Sequence, residues 1–241
     1  MDNGERTTVP TTDGPMPAYR WLPDGGRGPG VVLVQEIFGI STYIRSRAED
    51  LAEAGFVVLA PELYWRLPDA ELDEADPGVL EQAMALAGRV DWSTTVADTA
   101  AALTTLRSDP AVAGGAGLLG FCFGGGVAFQ VAADADPDAL VSYYGSALPG
   151  LLERAPDVQC PSLHHFGTAD TYIPMDQVEA IRSAVTSTAK PAQFLTYDGA
   201  GHAFDNPAPA FHHARAAAQA WPRTVAFLSE HLGLSEHMGR G

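Results

Sequence analysis

The residues best suited to chemistry in this chain are Cys122, Asp170 and His202, in that order. A thiol needs a base before it attacks, an imidazole takes a proton near neutral pH, and a carboxylate fixes the imidazole tautomer and stabilises its cation. Cys122 sits in Gly120-Phe121-Cys122-Phe123-Gly124, between an apolar run from Gly117 and a helical pattern from Val127 to Ala133. Gly-x-Cys-x-Gly between strand and helix reads as a nucleophile elbow, with cysteine in place of the usual serine. A residue on so sharp a turn has a strained backbone, and Gly120 and Gly124 let neighbouring elements come close. The start of the following helix favours a thiolate, and the Phe123 N–H can point at a developing oxyanion. Taken alone, the motif also fits a buried structural cysteine or a phosphate loop. No lysine follows in the helix to make it a nucleotide site.

Other reactive types carry weaker signals. Cys160, ahead of Pro161 and an apolar run, reads as a small buried hydrophobe, and two cysteines in 241 residues make no disulfide framework. The pairs His164-His165 and His212-His213 are adjacent, not at the i, i+4 spacing that puts two ligands on one helix face, so no metal is expected. Glu71, Asp73, Glu74 and Asp76 read as a solvated charge run before they read as a cation site.

Strands and helices must bring the three groups together. Thr7 to Pro10 and Pro15 to Leu22 flank an Asp13-Gly14 turn and read as an edge hairpin. Val31 to Val34 has the short β-branched run of a strand buried on both faces, and it delivers Glu36 to the C-terminal edge of a sheet, where open α/β folds place their sites. Tyr43 to Ala54 is an amphipathic helix with Ile44, Ala48 and Leu51 inward and Gly55 as its stop. Phe56 to Ala60 is a strand broken by Pro61, followed after a loop by helices over Pro77 to Ala87, with Pro77 at its first position, and Trp92 to Leu106, with Asp91 as N-cap. Strands over Gly117 to Phe121, Leu140 to Tyr144, Ser162 to Phe166 and Gln193 to Tyr197 lead into Cys122, Tyr144-Gly145, Asp170 and His202. A helix over Met175 to Ser187 separates the last two strands, and another over Pro209 to His231 closes the chain. The alternation predicts one α/β domain over 1–241, a mostly parallel sheet with helices on both faces and no large lid.

The bulk properties bound the partners. Thirty acidic against 14 basic residues give a formal charge of −16, which repels nucleic acid and anionic membrane surfaces. Hydrophobic content of 46% excludes a disordered chain. Met1 to Pro17 lacks a basic stretch ahead of an apolar core, and no window approaches the roughly 20 apolar residues of a membrane helix. A cytoplasmic protein, monomeric or a small homo-oligomer, is expected.

The order nucleophile, acid, histidine is that of α/β-hydrolases. The sequence resembles the dienelactone hydrolase family in Gln35-Glu36-Ile37-Phe38-Gly39, Pro61-Glu62-Leu63-Tyr64, Gly120 to Gly125, Tyr143-Tyr144-Gly145, Asp170 and Gly201-His202-Ala203-Phe204. That resemblance implies an α/β-hydrolase fold and a Cys122-His202-Asp170 triad. It also implies Glu36 beside the thiol and an oxyanion hole of the Ile37 and Phe123 N–H groups. A carboxylate beside a thiol opposes the thiolate, so Glu36 reads as a gate that substrate opens, ahead of the plainer alternative that it caps the next helix or pairs with Arg45 or Arg47.

The chain also departs from that family. Where members that bind a carboxylate substrate resemble one another in two arginines, Leu80 and Asn206 stand here, and Met84 and Ala87 replace aromatic residues. Neither Leu80 nor Asn206 can form the bidentate clamp of an anionic ligand. Phe38, Tyr64, Tyr144 and Phe204 read as pocket walls or core. The sequence therefore predicts attack by Cys122 on a small-molecule ester or lactone less anionic than a dienelactone, without a cofactor. The rivals are a thioesterase, a carbon-halogen hydrolase or a redox-sensing cysteine protein.

Overall fold

The structure is a computed structural model that describes residues 4–234. Residues 1–3, within the stretch read for a leader, and 235–241, the end of the expected domain, lie outside the described residues. Among those described, eight strands form one mixed sheet: β1 (Glu5–Thr11), β2 (Gly14–Trp21), β3 (Gly28–Val34), β4 (Val57–Pro61), β5 (Val112–Phe121), β6 (Leu140–Tyr143), β7 (Ser162–Gly167) and β8 (Ala192–Tyr197). Their order is β1-β2-β4-β3-β5-β6-β7-β8. The first hairpin and the β2·β4 pairing are antiparallel, and every pairing from β4 to β8 is parallel. The hydrophobic runs of β3, β4, β6 and β7 are buried along their whole length, as strands sandwiched between helix layers must be.

Six α-helices accompany the sheet among the described residues: α1 (Thr42–Glu53), α2 (Val79–Ala87), α3 (Trp92–Arg107), α4 (Phe123–Ala135), α5 (Met175–Thr186) and α6 (Ala214–Leu232). Ser41 caps α1 by accepting from the Ile44 N–H, and Asp91 caps α3 by accepting from Thr94 N at 2.8 Å. Ile44, Ala48 and Leu51 face the core as their spacing requires. No helix among the described residues is long and apolar enough to cross a membrane.

Four local expectations are corrected. The hairpin turn centres on Thr12-Asp13, because Gly14 already pairs with Thr11. Pro61 closes β4 opposite Ala18 instead of breaking the strand ahead of itself. Pro77 precedes α2, because the Asp76 carboxylate takes the Gly78 N–H at 2.7 Å in a turn and the helix starts at Val79. The closing helix starts at Ala214, where the His213 ring caps it by accepting from Ala216 N, and residues 209–213 form turns ahead of it.

A polar chain runs through the core behind β6 and β7. Tyr143 Oη and Thr224 Oγ1 are 2.6 Å apart, His165 Nε2 lies 3.0 Å from Thr224 Oγ1, and His165 Nδ1 lies 2.8 Å from Tyr197 Oη. Arg223 donates to Tyr197 Oη at 3.5 Å. Burial holds the His165 imidazole neutral, well below its ordinary range.

Candidate active site

β5 carries its ladder one residue past its end, where Cys122 N donates to Tyr143 O at 3.0 Å, and then turns at once into α4. Cys122 adopts φ 52° and ψ −114°, a positive φ in a residue with a side chain. Two glycines make that turn possible. A Cβ on Gly120 would sit 2.1 Å from Gly124 O, and one on Gly124 would sit 2.3 Å from Val34 O. α4 therefore starts in backbone contact with both β5 and the end of β3, and the strain at Cys122 is held by its nearest neighbours. Phe123 opens the helix, where the first N–H groups have no intrahelical acceptor.

His202 follows β8. Its Nε2 lies 3.1 Å from Cys122 Sγ, and its Nδ1 lies 2.7 Å from Asp170 Oδ2. Asp170 follows β7, and its other oxygen accepts from Tyr172 N at 2.8 Å and Ile173 N at 3.0 Å, which fixes the carboxylate plane. Burial would lower the His202 pKa, but the hydrogen bond to Asp170 and the contact with Cys122 outweigh it and raise it to about 10. The ring lies between those of Tyr144 and Tyr172, each 5.1 Å away.

Glu36, after β3, is almost wholly buried, and desolvation pushes its carboxyl up to about 8. Its Oε1 accepts from Asn206 Nδ2 at 2.8 Å. The Asn206 amide is oriented for this, since its own oxygen accepts from Ala208 N at 2.9 Å. Arg45 instead lies over the Tyr19 ring and Arg47 bonds Asp50 and Asp205, so neither ion pair of the alternative reading of Glu36 is made.

The segment after His202 is held from a distance. Ala203 has φ 57°, which costs a non-glycine residue about 1 kcal/mol. Phe204 is fully buried. Asp205 Oδ2 accepts from Tyr43 Oη at 2.6 Å and from Arg47 Nε at 2.8 Å, both on α1. Arg47 lies 4.2 Å from the Trp221 ring of α6, and its NH1 donates to Asp50 at 2.7 Å.

A cavity of about 220 Å³ opens on Cys122 and His202. Glu36, Ile37 and Phe38 form one side, and Leu80, Met84 and Ala87 of α2 form another. The structure differs for four expected wall residues. Tyr144 and Phe204 are fully buried and pack on each other behind His202, with ring centres 5.2 Å apart. Asn206 is spent on Glu36 and Ala208. Tyr64 lines a separate groove of about 920 Å³ and donates its Oη to Ile37 O at 2.9 Å, bracing the turn that carries Ile37.

Sequence reading missed Ser146, Tyr172, Ala203 and Phe211, which also line the cavity, and the Asp205-Arg47-Tyr43 cluster. Tyr172 stands two residues after Asp170, and that closeness was the one signal available. Of the histidine pairs, His164 packs against Phe194 in the core with its pKa lowered to about 4 by burial, and His213 caps α6. The acidic run is partly engaged, with Glu74 accepting from Thr42 N at 2.8 Å. Among the described residues no cluster of His, Cys, Asp and Glu is arranged to hold a metal ion. Burial pushes the Cys160 thiol up to about 12.

Comparison with known proteins returns the same architecture. The family model of the dienelactone hydrolase family matches residues 16–232. A carboxymethylenebutenolidase of Pseudomonas sp. (strain P51) is 37% identical over 188 residues, 78% of this chain and 78% of that protein. A crystal structure assigned as a dienelactone hydrolase from Klebsiella pneumoniae subsp. pneumoniae MGH 78578 superposes with a TM-score of 0.80 at 29% identity, covering 94% of this chain and 98% of that one. A dienelactone hydrolase-like promiscuous phosphotriesterase from metagenomic libraries gives a TM-score of 0.77 at 27% identity, with 95% and 99% covered.

Proposed function

The chain belongs to the dienelactone hydrolase family and is a hydrolase of ester or lactone bonds, and from that premise we propose that Cys122 opens a small, uncharged or weakly anionic lactone or ester. The observation that carries this reading is the run of contacts from Asp170 through His202 to the thiol, 2.7 Å and 3.1 Å long. His202 Nε2 holds the thiol's proton, as its pKa of about 10 favours, while Sγ bonds to the carbonyl carbon, and the carbonyl oxygen becomes an oxyanion facing the Ile37 and Phe123 N–H groups. The oxyanion collapses, the C–O bond breaks, and the imidazolium returns its proton to the leaving alkoxide. In a lactone that alcohol stays tethered to the acyl group. Water, deprotonated by His202, then attacks the thioester and releases the acid and the thiol.

Two features support a substrate of low charge. The cavity wall supplied by α2 is Leu80, Met84 and Ala87, and among the described residues no arginine or lysine lines the cavity. Glu36, raised to about 8, is largely a neutral acid at pH 7. The gate reading of Glu36 takes a specific form here: its Oε1 is held by Asn206, it lines the same cavity as Cys122, and a substrate entering that cavity would displace it. Glu36→Gln should then change the pH profile of Cys122 alkylation, and an unchanged profile removes the gate.

The deciding experiment compares a dienelactone with neutral lactones and esters, using the native protein and Cys122→Ala. Turnover should favour the neutral compounds and fall by about 10⁴-fold or more in the variant. Retained turnover in Cys122→Ala, or a strong preference for the dienelactone, overturns the corresponding half of the proposal.

A further inference from the structure

Asp205 carries a carboxylate whose side chain is fully buried, and nothing in the reaction above uses it. A buried charge persists only when paired, and this one is paired with Arg47 and hydrogen-bonded to Tyr43, both on the helix that follows the Glu36 turn. The pairing spans 158 residues of sequence to Arg47 and 162 to Tyr43, so no local folding preference creates it. Its position is specific: three residues after His202 and next to Asn206.

Those two neighbours reach in different directions. His202 reaches Cys122, and Asn206 reaches Glu36. Between them Ala203 holds a left-handed backbone at φ 57° without being glycine, and no glycine lies between His202 and Asn206 to ease the turn. Asn206 N closes the strained turn on Ala203 O at 2.9 Å and His213 N holds Phe204 O at 3.0 Å, and the side chains that tie it to the rest of the fold are the buried Phe204 ring and the Asp205 carboxylate. Arg47 is itself fixed between the Trp221 ring of α6 and Asp50 of α1, so it gives Asp205 a rigid partner rather than a mobile surface cation.

We propose that the buried Asp205-Arg47 pair, with the Tyr43 hydroxyl, is a positioning latch that holds the 202–206 turn so that His202 meets the thiol and Asn206 meets Glu36 at the same time. Asp205 touches neither substrate nor reacting atom. It acts by setting where two groups stand that do, and it lets a turn with a strained alanine be as well placed as the glycine-built elbow opposite. The inference rests on the proposed role of His202 as base.

The test reads kcat, KM and the rate of Cys122 alkylation by iodoacetamide at pH 7 in D205N, R47K and H202A, each below its own melting temperature. D205N should lower kcat by about 10- to 100-fold while KM changes by less than about threefold, because a group displaced by about 1 Å costs rate and the cavity walls stay in place. Its alkylation rate should fall toward that of H202A. Adding A203G to D205N should recover most of the lost kcat, measured against A203G alone, since glycine takes the turn without strain. R47K should change in the same direction by less, and it supplies the reading if D205N does not fold. Wild-type kcat and alkylation in folded D205N or R47K, with only the melting temperature reduced, overturns the latch. Failure of the function itself is separable: alkylation insensitive to H202A removes His202 as base, whereas alkylation sensitive to H202A but not to D205N or R47K removes only the latch.

Discussion

The elbow at Cys122 and the turn after His202 solve one problem in two ways. Each places a reactive side chain beside a positive φ on a residue that is not glycine: 52° at Cys122 itself and 57° at Ala203, next to His202. At the elbow the means are local, since Gly120 and Gly124 let three backbone segments touch. At the turn they are distant, since Asp205 is held by Tyr43 and Arg47 on α1. Strain can therefore be held by omitting side chains nearby or by pairing charges far away. The first leaves a signature in the sequence and the second does not.

The contrast breaks most visibly at the elbow. Gly124→Ala puts a carbon where Val34 O and Gln35 O stand at 2.3 and 2.4 Å, and backbone cannot yield cheaply. We expect a loss of about 4 kcal/mol or more in denaturant unfolding, enough to leave little folded protein. A cost below about 1 kcal/mol would show that α4 can slide, and that the local solution is looser than described.

A smaller effect is expected at Glu36, which sits between the two regions. Its carboxyl ionises near 4.5 when unfolded and near 8 when folded, so across that interval the unfolded chain has released a proton that the native protein still holds. Stability from this group is complete below pH 4.5 and is lost as pH climbs to 8. His202, raised from 6.5 to about 10, adds a decline of the same sign at higher pH. Glu36→Gln should remove the lower part of the slope, worth roughly 4 kcal/mol between pH 4.5 and 8. Unfolding free energies at several pH values read it directly, and parallel curves for the two proteins would mean Glu36 is not held neutral.

Smallest of all, and of opposite sign, is Ala203→Gly. Removing a Cβ relieves the turn by about 1 kcal/mol against the entropy glycine adds to the unfolded chain, so stability should rise slightly or stay level. A loss above about 1 kcal/mol would mean that Ala203 is valued for packing, and the symmetry with the elbow would fail.

The same contrast explains what could be read from the chain. Cys122 was legible because glycines two residues to either side betray the turn, and Asp170 and His202 because each follows an apolar run. The sheet was legible for a similar reason: β3 and β4 are runs of apolar residues without polar interruptions. The first half of β5, Val112 to Ala116, is mostly glycine and alanine and gave no strand signal, and it extends the ladder because β3 offers it a partner. The start of α6 was set too early because alanines from 210 onward resemble a helix, while the chain spends 209–213 bringing Phe211 to the cavity. Asn206 stood out in the sequence only as the replacement of an arginine, and Asp205 did not stand out at all. Their partners lie more than 150 residues away, and no spacing rule links them.

The polar chain in the core has a directional consequence. Arg223 can only donate, so the Tyr197 oxygen it approaches is an acceptor there and the phenol's own proton is free to go to His165 Nδ1. With Nδ1 accepting, the neutral imidazole carries its hydrogen on Nε2 and hands it to Thr224 Oγ1. Directed this way, the row runs head to tail from the guanidinium through the Tyr197 phenol of β8 and the His165 imidazole of β7 to the Thr224 hydroxyl of α6.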